Sequence, residues 1–270
     1  MRYDVHTHAF HPKVADRILA QLHAHYGITP VGLGAAPDLL ERLARAGIHR
    51  AAVHNAATAP AQVVPANEFV LGLARQHPQI IPFGTLHPAD PDWEEAMAGL
   101  WRNGVRGIKL HPDFQSFRLD DPALDPIFEA GRGRFCFMLH VGDNLPPDLN
   151  PSCPFKVARI LDRHPGLTAI AAHLGGYLHW RYALECLIGR DVFLDTSSSL
   201  PFLDDATLRE IFRRHAPERI LFGSDYPLFD PGAEAARLQF RLGLENDALE
   251  RIMSSAAALF GPGADFAPKI

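Results

Sequence analysis

The stretch Asp4-Val5-His6-Thr7-His8, close to the start of the chain, sets the pattern for the rest of the sequence. The apolar residues around Val5 predict a short buried strand, with the two histidines at its carboxyl end. Because successive side chains of a strand point to opposite faces, His6 and His8 share one face. Two imidazoles on one face can hold a divalent metal together, but a site needs further ligands. The chain has 15 histidines, so the pair alone could be chance.

The same pattern, a short apolar run that ends in a histidine or an aspartate, recurs along the chain. Short apolar strands that alternate with helices are typical of a parallel sheet covered by helices. Eight such units, with no break in composition, predict an α/β fold, a (β/α)8 TIM barrel formed as a single domain by residues 1–270. The runs end at His6 and His8, His54, His87, His111, His140, His173, Asp195 and Asp225.

Helices are predicted wherever apolar residues recur at helical spacing between these runs. Part of the long connection over residues 9–36 shows this spacing. The other helices are predicted near residues 37–46, 61–77, 92–103, 122–130, 155–164, 180–188, 204–215, 233–242 and 247–260.

The composition excludes several classes of protein. A chain that is 47% hydrophobic and 21% charged can bury a sizeable core, and its net charge of −5 gives no reason to expect nucleic acid or anionic lipid as a partner. Neither a secretory signal nor a membrane-spanning apolar run is present. Cys136, Cys153 and Cys186 are too widely spaced for a CxxC site, so we expect buried, reduced thiols. We therefore expect a cytoplasmic protein that acts on a small molecule, with a homo-oligomer left open.

The strand ends carry the functional signal. In a parallel barrel they all open on one face, where active sites are built. Taken singly, His54 or His87 is better explained as a hydrogen-bonded core histidine. A barrel that served only as a scaffold would have no reason to end strand after strand in ionisable groups, each of which costs free energy if buried unpaired. Their convergence predicts a metal-dependent active site.

Five segments of the chain form successive motifs at the strand ends. They are Asp4-Val5-His6-Thr7-His8, Gly107-Ile108-Lys109-Leu110-His111-Pro112, Leu139-His140-Val141-Gly142, Ala172-His173-Leu174-Gly175-Gly176 and Phe222-Gly223-Ser224-Asp225-Tyr226-Pro227. Together they resemble successive motifs of the amidohydrolase superfamily, and more narrowly its amidohydrolase-related branch, which includes aminocarboxymuconate-semialdehyde decarboxylase and aromatic-acid decarboxylases. The resemblance runs through essentially the whole chain, but it does not specify a substrate, because the branch holds hydrolases, lactonases, decarboxylases and hydratases.

The resemblance implies one divalent metal bound by His6, His8, His140 and Asp225. It also implies that His173 holds the water or the substrate and moves a proton, a duty that Asp225 can share. Three imidazoles and a carboxylate suit Zn²⁺, which is the expected metal. Such a metal lowers the pKa of a bound water to roughly 7.

Lys109 leaves two alternatives open. In other branches of the superfamily a lysine on the fourth strand is carboxylated and bridges two metals, and the histidine of the sixth strand then binds the second metal. The decarboxylase-like branch generally works with one metal and no bridging lysine. We expect one metal and a cationic Lys109 that binds a substrate carboxylate, with His111 beside it.

These residues predict a metal-dependent hydrolase that attacks an amide, ester or lactone bond in a small, carboxylate-bearing substrate. The alternative is a non-oxidative decarboxylase or hydratase of a small unsaturated or aromatic carboxylic acid. The loop over residues 142–154 is expected to line the pocket. Since neither a GxGxxG pattern nor a phosphate-binding loop occurs, a nucleotide cofactor is not expected.

Overall fold

A computed structural model describes residues 1–261, and within them eight parallel strands pair in chain order. The N–H groups of Val5 and Asp225 donate to the carbonyls of Phe222 and His6, so the eighth strand closes on the first. The predicted barrel is confirmed. The strands are β1 (Tyr3–Thr7), β2 (Arg50–Val53), β3 (Ile80–Thr85), β4 (Gly107–Leu110), β5 (Cys136–Leu139), β6 (Ala169–Ala171), β7 (Phe193–Asp195) and β8 (Ile220–Leu221).

Helices separate the strands and cover the outside of the barrel. Two of them begin at a side-chain cap: the carboxylates of Asp204 and Asp230 accept the backbone N–H groups of Thr207 and Ala233. The helices are α1 (Ala15–Tyr26), α2 (Ala36–Arg45), α3 (Val63–Gln76), α4 (Trp93–Arg102), α5 (Pro112–Gln115), α6 (Asp125–Gly131), α7 (Pro154–Arg163), α8 (Trp180–Cys186), α9 (Asp205–Arg214), α10 (Pro231–Leu242), α11 (Asn246–Ser254) and α12 (Ala257–Phe260).

Two of the sequence-based boundaries that differ from the structure lie after β7. The single helix predicted over residues 247–260 is two helices, since α11 ends at Ser254 and α12 begins at Ala257. The run predicted to end at Asp225 has strand geometry only over Ile220–Leu221, and Asp225 itself has a φ of 65°, which ends any strand. The last nine residues of the predicted domain, 262–270, lie outside the described part of the chain.

Apolar side chains fill the interior of the barrel below the strand ends. Inward-facing residues alternate along each strand of a barrel, and a compact cluster of buried side chains, separate from the main core, follows this alternation. On several strands an ionisable residue lies near or just beyond the carboxyl end: His54 after β2, Lys109 on β4, His140 after β5 and Asp195 on β7. The cluster includes Tyr3, Val5, Ala52, Phe83, Cys136, Met138, Ile170, Ala172 and Leu221.

Strand β1 contains an irregularity that serves the site. Asp4 pairs with Ala51 and Thr7 with Val53, so β1 advances three residues where β2 advances two. This geometry is that of a β-bulge, which re-aims side chains next to functional sites. Val5 therefore joins the interior cluster while its neighbour His6 also faces inward.

Among residues 1–261, none of the helices combines the length and the apolar character needed to span a bilayer.

Candidate metal centre

Three of the four predicted metal ligands meet directly. The Oδ1 atom of Asp225 lies 3.2 Å from His8 Nε2 and 3.5 Å from His6 Nε2. The backbone holds Asp225 in place, because its N–H donates to the His6 carbonyl and Ser198 Oγ donates to its Oδ2. Gly223 allows β8 to approach β1 this closely, since a Cβ atom there would lie 2.8 Å from His6 Cβ.

Hydrogen bonds fix which nitrogen of each predicted histidine ligand is free. In each ring one N–H donates to a protein oxygen, and the other nitrogen keeps its lone pair; partners of this kind orient metal-binding imidazoles. The donors are His6 Nδ1 to Asp195 Oδ2 (3.0 Å), His8 Nδ1 to the His54 carbonyl (2.8 Å) and His140 Nε2 to the Gly142 carbonyl (3.0 Å).

His140, the fourth predicted metal ligand, is connected to His6 through His173, whose ring lies against both of them. The Nδ1–H of His173 donates to the Ser197 carbonyl at 3.1 Å, and its Nε2 lies 3.0 Å from His140 Nδ1. Two nitrogens that both carry lone pairs therefore face each other in a buried space. A cation or a shared proton removes this repulsion, so the donor set fits a divalent metal. The His173 ring lies 4.8 Å from the His140 ring and 5.1 Å from the His6 ring, measured between centroids.

The charges of the site are those that metal binding requires. Burial raises the pKa of the Asp225 carboxyl, but the imidazoles of His6, His8 and His173 outweigh burial and hold it well below its usual range. Burial lowers the pKa of His6 to about 4. At neutral pH the site thus combines an ionised Asp225 carboxylate with neutral imidazoles of His6, His140 and His173, whose pKa values burial lowers.

Lys109 reaches the same place from β4. Its Nζ lies 3.2 Å from His6 Nε2, and the side chain is buried. Burial lowers the pKa of Lys109 to about 8, against the opposing effect of the Asp225 and Asp195 carboxylates. The cation predicted to bind a substrate carboxylate therefore lies beside a predicted metal ligand.

His111 forms the adjacent wall. Its ring stacks on His140 at 3.8 Å and on Phe114 at 4.2 Å between centroids. The hydroxyl of Tyr26, at the end of α1, lies 3.4 Å from His111 Nε2, and the Tyr26 ring packs edge-on against Tyr177. Tyr26 and Phe114, from two different connections, thus contact the predicted substrate-binding residue, and Tyr177 packs against Tyr26.

Three groups of potential ligands occur among the described residues, each with one ligand atom per residue within 4.8 Å of the others. The four predicted ligands do not form one of these groups. His6 and His8 share one group, His140 belongs to another, and Asp225 belongs to none of the three. The groups are His6, His8 and His54; His6, His173 and Asp195; and His111, Asp113 and His140.

Sequence reasoning missed several supporting residues. Asp195 was recognised as a strand-end carboxylate but not as the partner of His6, since 189 residues separate the two. Tyr26 and His25 lie in a long connection without a motif, and His25 Nε2 lies 2.7 Å from Asp143 Oδ2. Asp143 belongs to the loop over residues 142–154, which was expected to line the pocket and does reach the site through Gly142.

A family model described as Amidohydrolase matches residues 3–261. The chain belongs to the amidohydrolase family. No curated protein sequence matches the chain.

Solved structures share the fold of this chain over almost its full length. An uncharacterised TIM-barrel protein from Bordetella bronchiseptica is 20% identical with a TM-score of 0.75, over 95% of this chain and 96% of its own. 5-Carboxyvanillate decarboxylase from Sphingomonas paucimobilis is 15% identical with a TM-score of 0.72, over 96% of this chain and 98% of its own. A 2,6-dihydroxybenzoate decarboxylase in complex with 2,6-dihydroxybenzoate is 17% identical with a TM-score of 0.73, over 97% of this chain and 99% of its own. Two further neighbours contain bound manganese and bound zinc. At sequence identities of 15–20%, these matches show a shared fold and nothing more.

Proposed function

We propose that this amidohydrolase-family chain is a metal-dependent hydrolase with one divalent ion, Zn²⁺, bound by His6, His8, His140 and Asp225. The observation that carries the proposal is the orientation of the imidazoles. Each donates its N–H to a protein oxygen, so its other nitrogen carries the lone pair. These nitrogens lie 3.5 Å and 3.2 Å from Asp225 Oδ1 in His6 and His8, and 3.0 Å from His173 Nε2 in His140. Such a metal, when bound, acidifies water and polarises a carbonyl oxygen.

His173 is the proposed proton acceptor. Its Nδ1–H is committed to the Ser197 carbonyl, so its Nε2 can take a proton from the attacking water and later give it to the leaving group. Asp225 can share this duty through a carboxylate that its neighbours keep ionised. Both groups are buried, which keeps bulk water from competing for the proton.

Lys109 and His111 are the proposed substrate-binding residues. An ammonium group that lies 3.2 Å from His6 Nε2 can pair with a substrate carboxylate close to the metal. The aromatic side chains of Tyr26, Phe114 and Tyr177 give the pocket flat apolar walls. We therefore propose a small, planar, carboxylate-bearing ester, amide or lactone as substrate. A cytoplasmic location stays a prediction, with which the three unpaired cysteines are consistent.

A decarboxylase is the second candidate, and one observation favours it. Lys109 holds its ammonium group next to the proposed metal ligands, so a bound carboxylate would lie at the reaction centre itself. The structural neighbours that act on 5-carboxyvanillate and 2,6-dihydroxybenzoate are decarboxylases. A non-oxidative decarboxylation would need a group that gives a proton to the carbon losing CO₂, a role for protonated His173.

One experiment separates the two reactions. The protein, loaded with one equivalent of Zn²⁺ or Mn²⁺, is incubated in ¹⁸O-water with aryl esters, amides and lactones that carry a carboxylate, and with hydroxybenzoic acids. We expect ¹⁸O in the acid product of the hydrolysable substrates and no CO₂. Release of CO₂ from the hydroxybenzoic acids without any hydrolysis would overturn the hydrolase assignment in favour of the decarboxylase.

A further inference from the structure

His54, at the carboxyl end of β2, lies against the proposed metal ligands but has no assigned role. The residue is fully buried. Its ring centroid lies 4.8 Å from that of His6 and 5.2 Å from that of His8, nearly perpendicular to the His8 ring. One ring nitrogen of each of these three histidines lies within 4.8 Å of the others.

One ring nitrogen of His54 has a hydrogen-bond partner within residues 1–261 and the other has none. Its Nε2–H donates to the Val5 carbonyl at 2.9 Å, so Nδ1 carries the lone pair of the neutral ring. Within residues 1–261, Nδ1 has no hydrogen-bond partner. A buried lone pair without a donor costs free energy, so a partner that fills it is expected.

His87, the equivalent histidine after β3, shows what a structural histidine looks like here. Its Nε2 donates to the Gln115 carbonyl at 3.1 Å, and its Nδ1 accepts the N–H of Ala89 at 3.1 Å. Both nitrogens of His87 are therefore satisfied within the protein. This was the expectation for His54 as well, and the structure does not fulfil it.

We propose that His54 is a further ligand of the metal, through Nδ1, alongside His6 and His8. This inference rests on the metal centre proposed above. The set becomes four imidazoles and a carboxylate, one more protein ligand than a tetrahedral ion accepts, so a coordination number of five or six follows. The backbone of His54 contributes as well, because its carbonyl accepts the Nδ1–H of His8 and orients that ligand.

The test compares His54→Gln with a matched control. The glutamine amide can still donate to the Val5 carbonyl, and the backbone contact with His8 remains. Zn²⁺ affinity is measured against a chromophoric chelator. We expect His54→Gln to lose more than about 100-fold, since residues that only orient ligands cost roughly 10–100-fold. His87→Gln should bind Zn²⁺ as the wild type does.

A second measurement does not depend on a folded variant. In wild-type protein with ¹⁵N-labelled histidine, addition of Zn²⁺ should shift the assigned Nδ1 resonance of His54 and leave both ring resonances of His87 in place. An unmoved His54 Nδ1 resonance, or an affinity loss below about 100-fold in folded His54→Gln, overturns this assignment alone. Wild-type protein that binds no Zn²⁺ at all would instead overturn the metal centre itself.

Discussion

His6 Nδ1 lies 3.0 Å from Asp195 Oδ2, and both side chains are buried. The other carboxylate oxygen, Oδ1, accepts the N–H groups of Ser197 and His173. Contacts with His6, His173 and Ser197 outweigh the opposing effect of burial and lower the pKa of Asp195 to about 2. An ionised Asp195 can only accept hydrogen bonds, so it holds the proton of His6 on Nδ1 and leaves Nε2 bare for a metal.

Asp195→Asn should therefore weaken metal binding. Its oxygen would take over the two backbone N–H groups, and its NH₂ would face His6 Nδ1 and force the wrong tautomer. We expect Zn²⁺ affinity to fall by about 10–100-fold, measured by chelator competition. Asp191→Asn removes an exposed carboxylate that pairs with Arg219 and serves as control. Equal affinities for the two variants would show that Asp195 does not orient the ligand.

Much of the fold could be predicted because the sequence repeats one simple pattern. Short apolar runs buried on both faces, such as Cys136–Leu139, differ clearly from the amphipathic segments between them. The bulge in β1 could not be predicted, because it depends on the register of β1 with β2. Neither could the break between α11 and α12, which no proline or glycine marks.

The site was predictable to the extent that its residues end strands. His6 and His8, which the resemblance implies as metal ligands together with Asp225, lie 3.5 Å and 3.2 Å from its Oδ1 atom. The long-range partners were not predictable, because a hydrogen bond between residues far apart in the chain has no local signal. His54 is an example. In the sequence it looks like His87, a histidine at the end of an apolar run. Only the structure shows that His54 Nδ1 has no hydrogen-bond partner among residues 1–261, whereas both ring nitrogens of His87 have one.

His173→Asn should keep the metal and lose turnover. The asparagine amide can still donate to the Ser197 carbonyl, but the proton-accepting Nε2 is removed. We expect kcat to fall by about 10²–10⁴-fold while metal content, measured by elemental analysis, stays near one equivalent.

The control for this prediction is His215→Asn. His215 is buried, bonded to the Val192 carbonyl and to the Gly189 N–H just before β7, away from the strand ends that form the site. We expect its kcat to match the wild type. Loss of the metal from His173→Asn would make His173 a ligand and favour a two-metal site.

The same His215 predicts a pH dependence of stability. Burial lowers its pKa in the folded protein below the usual 6.5. The unfolded chain therefore binds the proton first as the pH falls, and the free energy of unfolding decreases below pH 6.5 by at most about 1.4 kcal/mol per pH unit for this group. Urea titrations should give a shallower pH profile for His215→Asn than for the wild type. Parallel profiles would contradict the prediction.

Lys109→Met tests whether the lysine is a substrate-binding cation or a carboxylated ligand. As a free amine 3.2 Å from His6 Nε2, Lys109 can pair with a substrate carboxylate. Its loss should then raise KM for a carboxylate substrate by about 10-fold or more, since a hydrogen bond to a charged group contributes about 1.5–3 kcal/mol. KM for the matching neutral methyl ester should change little, and metal content should stay near one equivalent.

Lys156→Met provides the matched control for Lys109→Met. Lys156 is also buried, and within residues 1–261 its Nζ bonds to the Pro147 carbonyl and to Cys153 Sγ, away from the proposed metal ligands. Lys156→Met should leave KM unchanged, even if it lowers the thermal midpoint. A carboxylated lysine would give a different result: the wild type would bind two metal ions, Lys109→Met would lose one, and a crystal structure would show a forked group on the Lys109 nitrogen. Because the Nζ of Lys109 lies 3.2 Å from His6 Nε2 and close to the Asp225 and Asp195 carboxylates, which favour its charged form, we expect one metal and an unmodified amine.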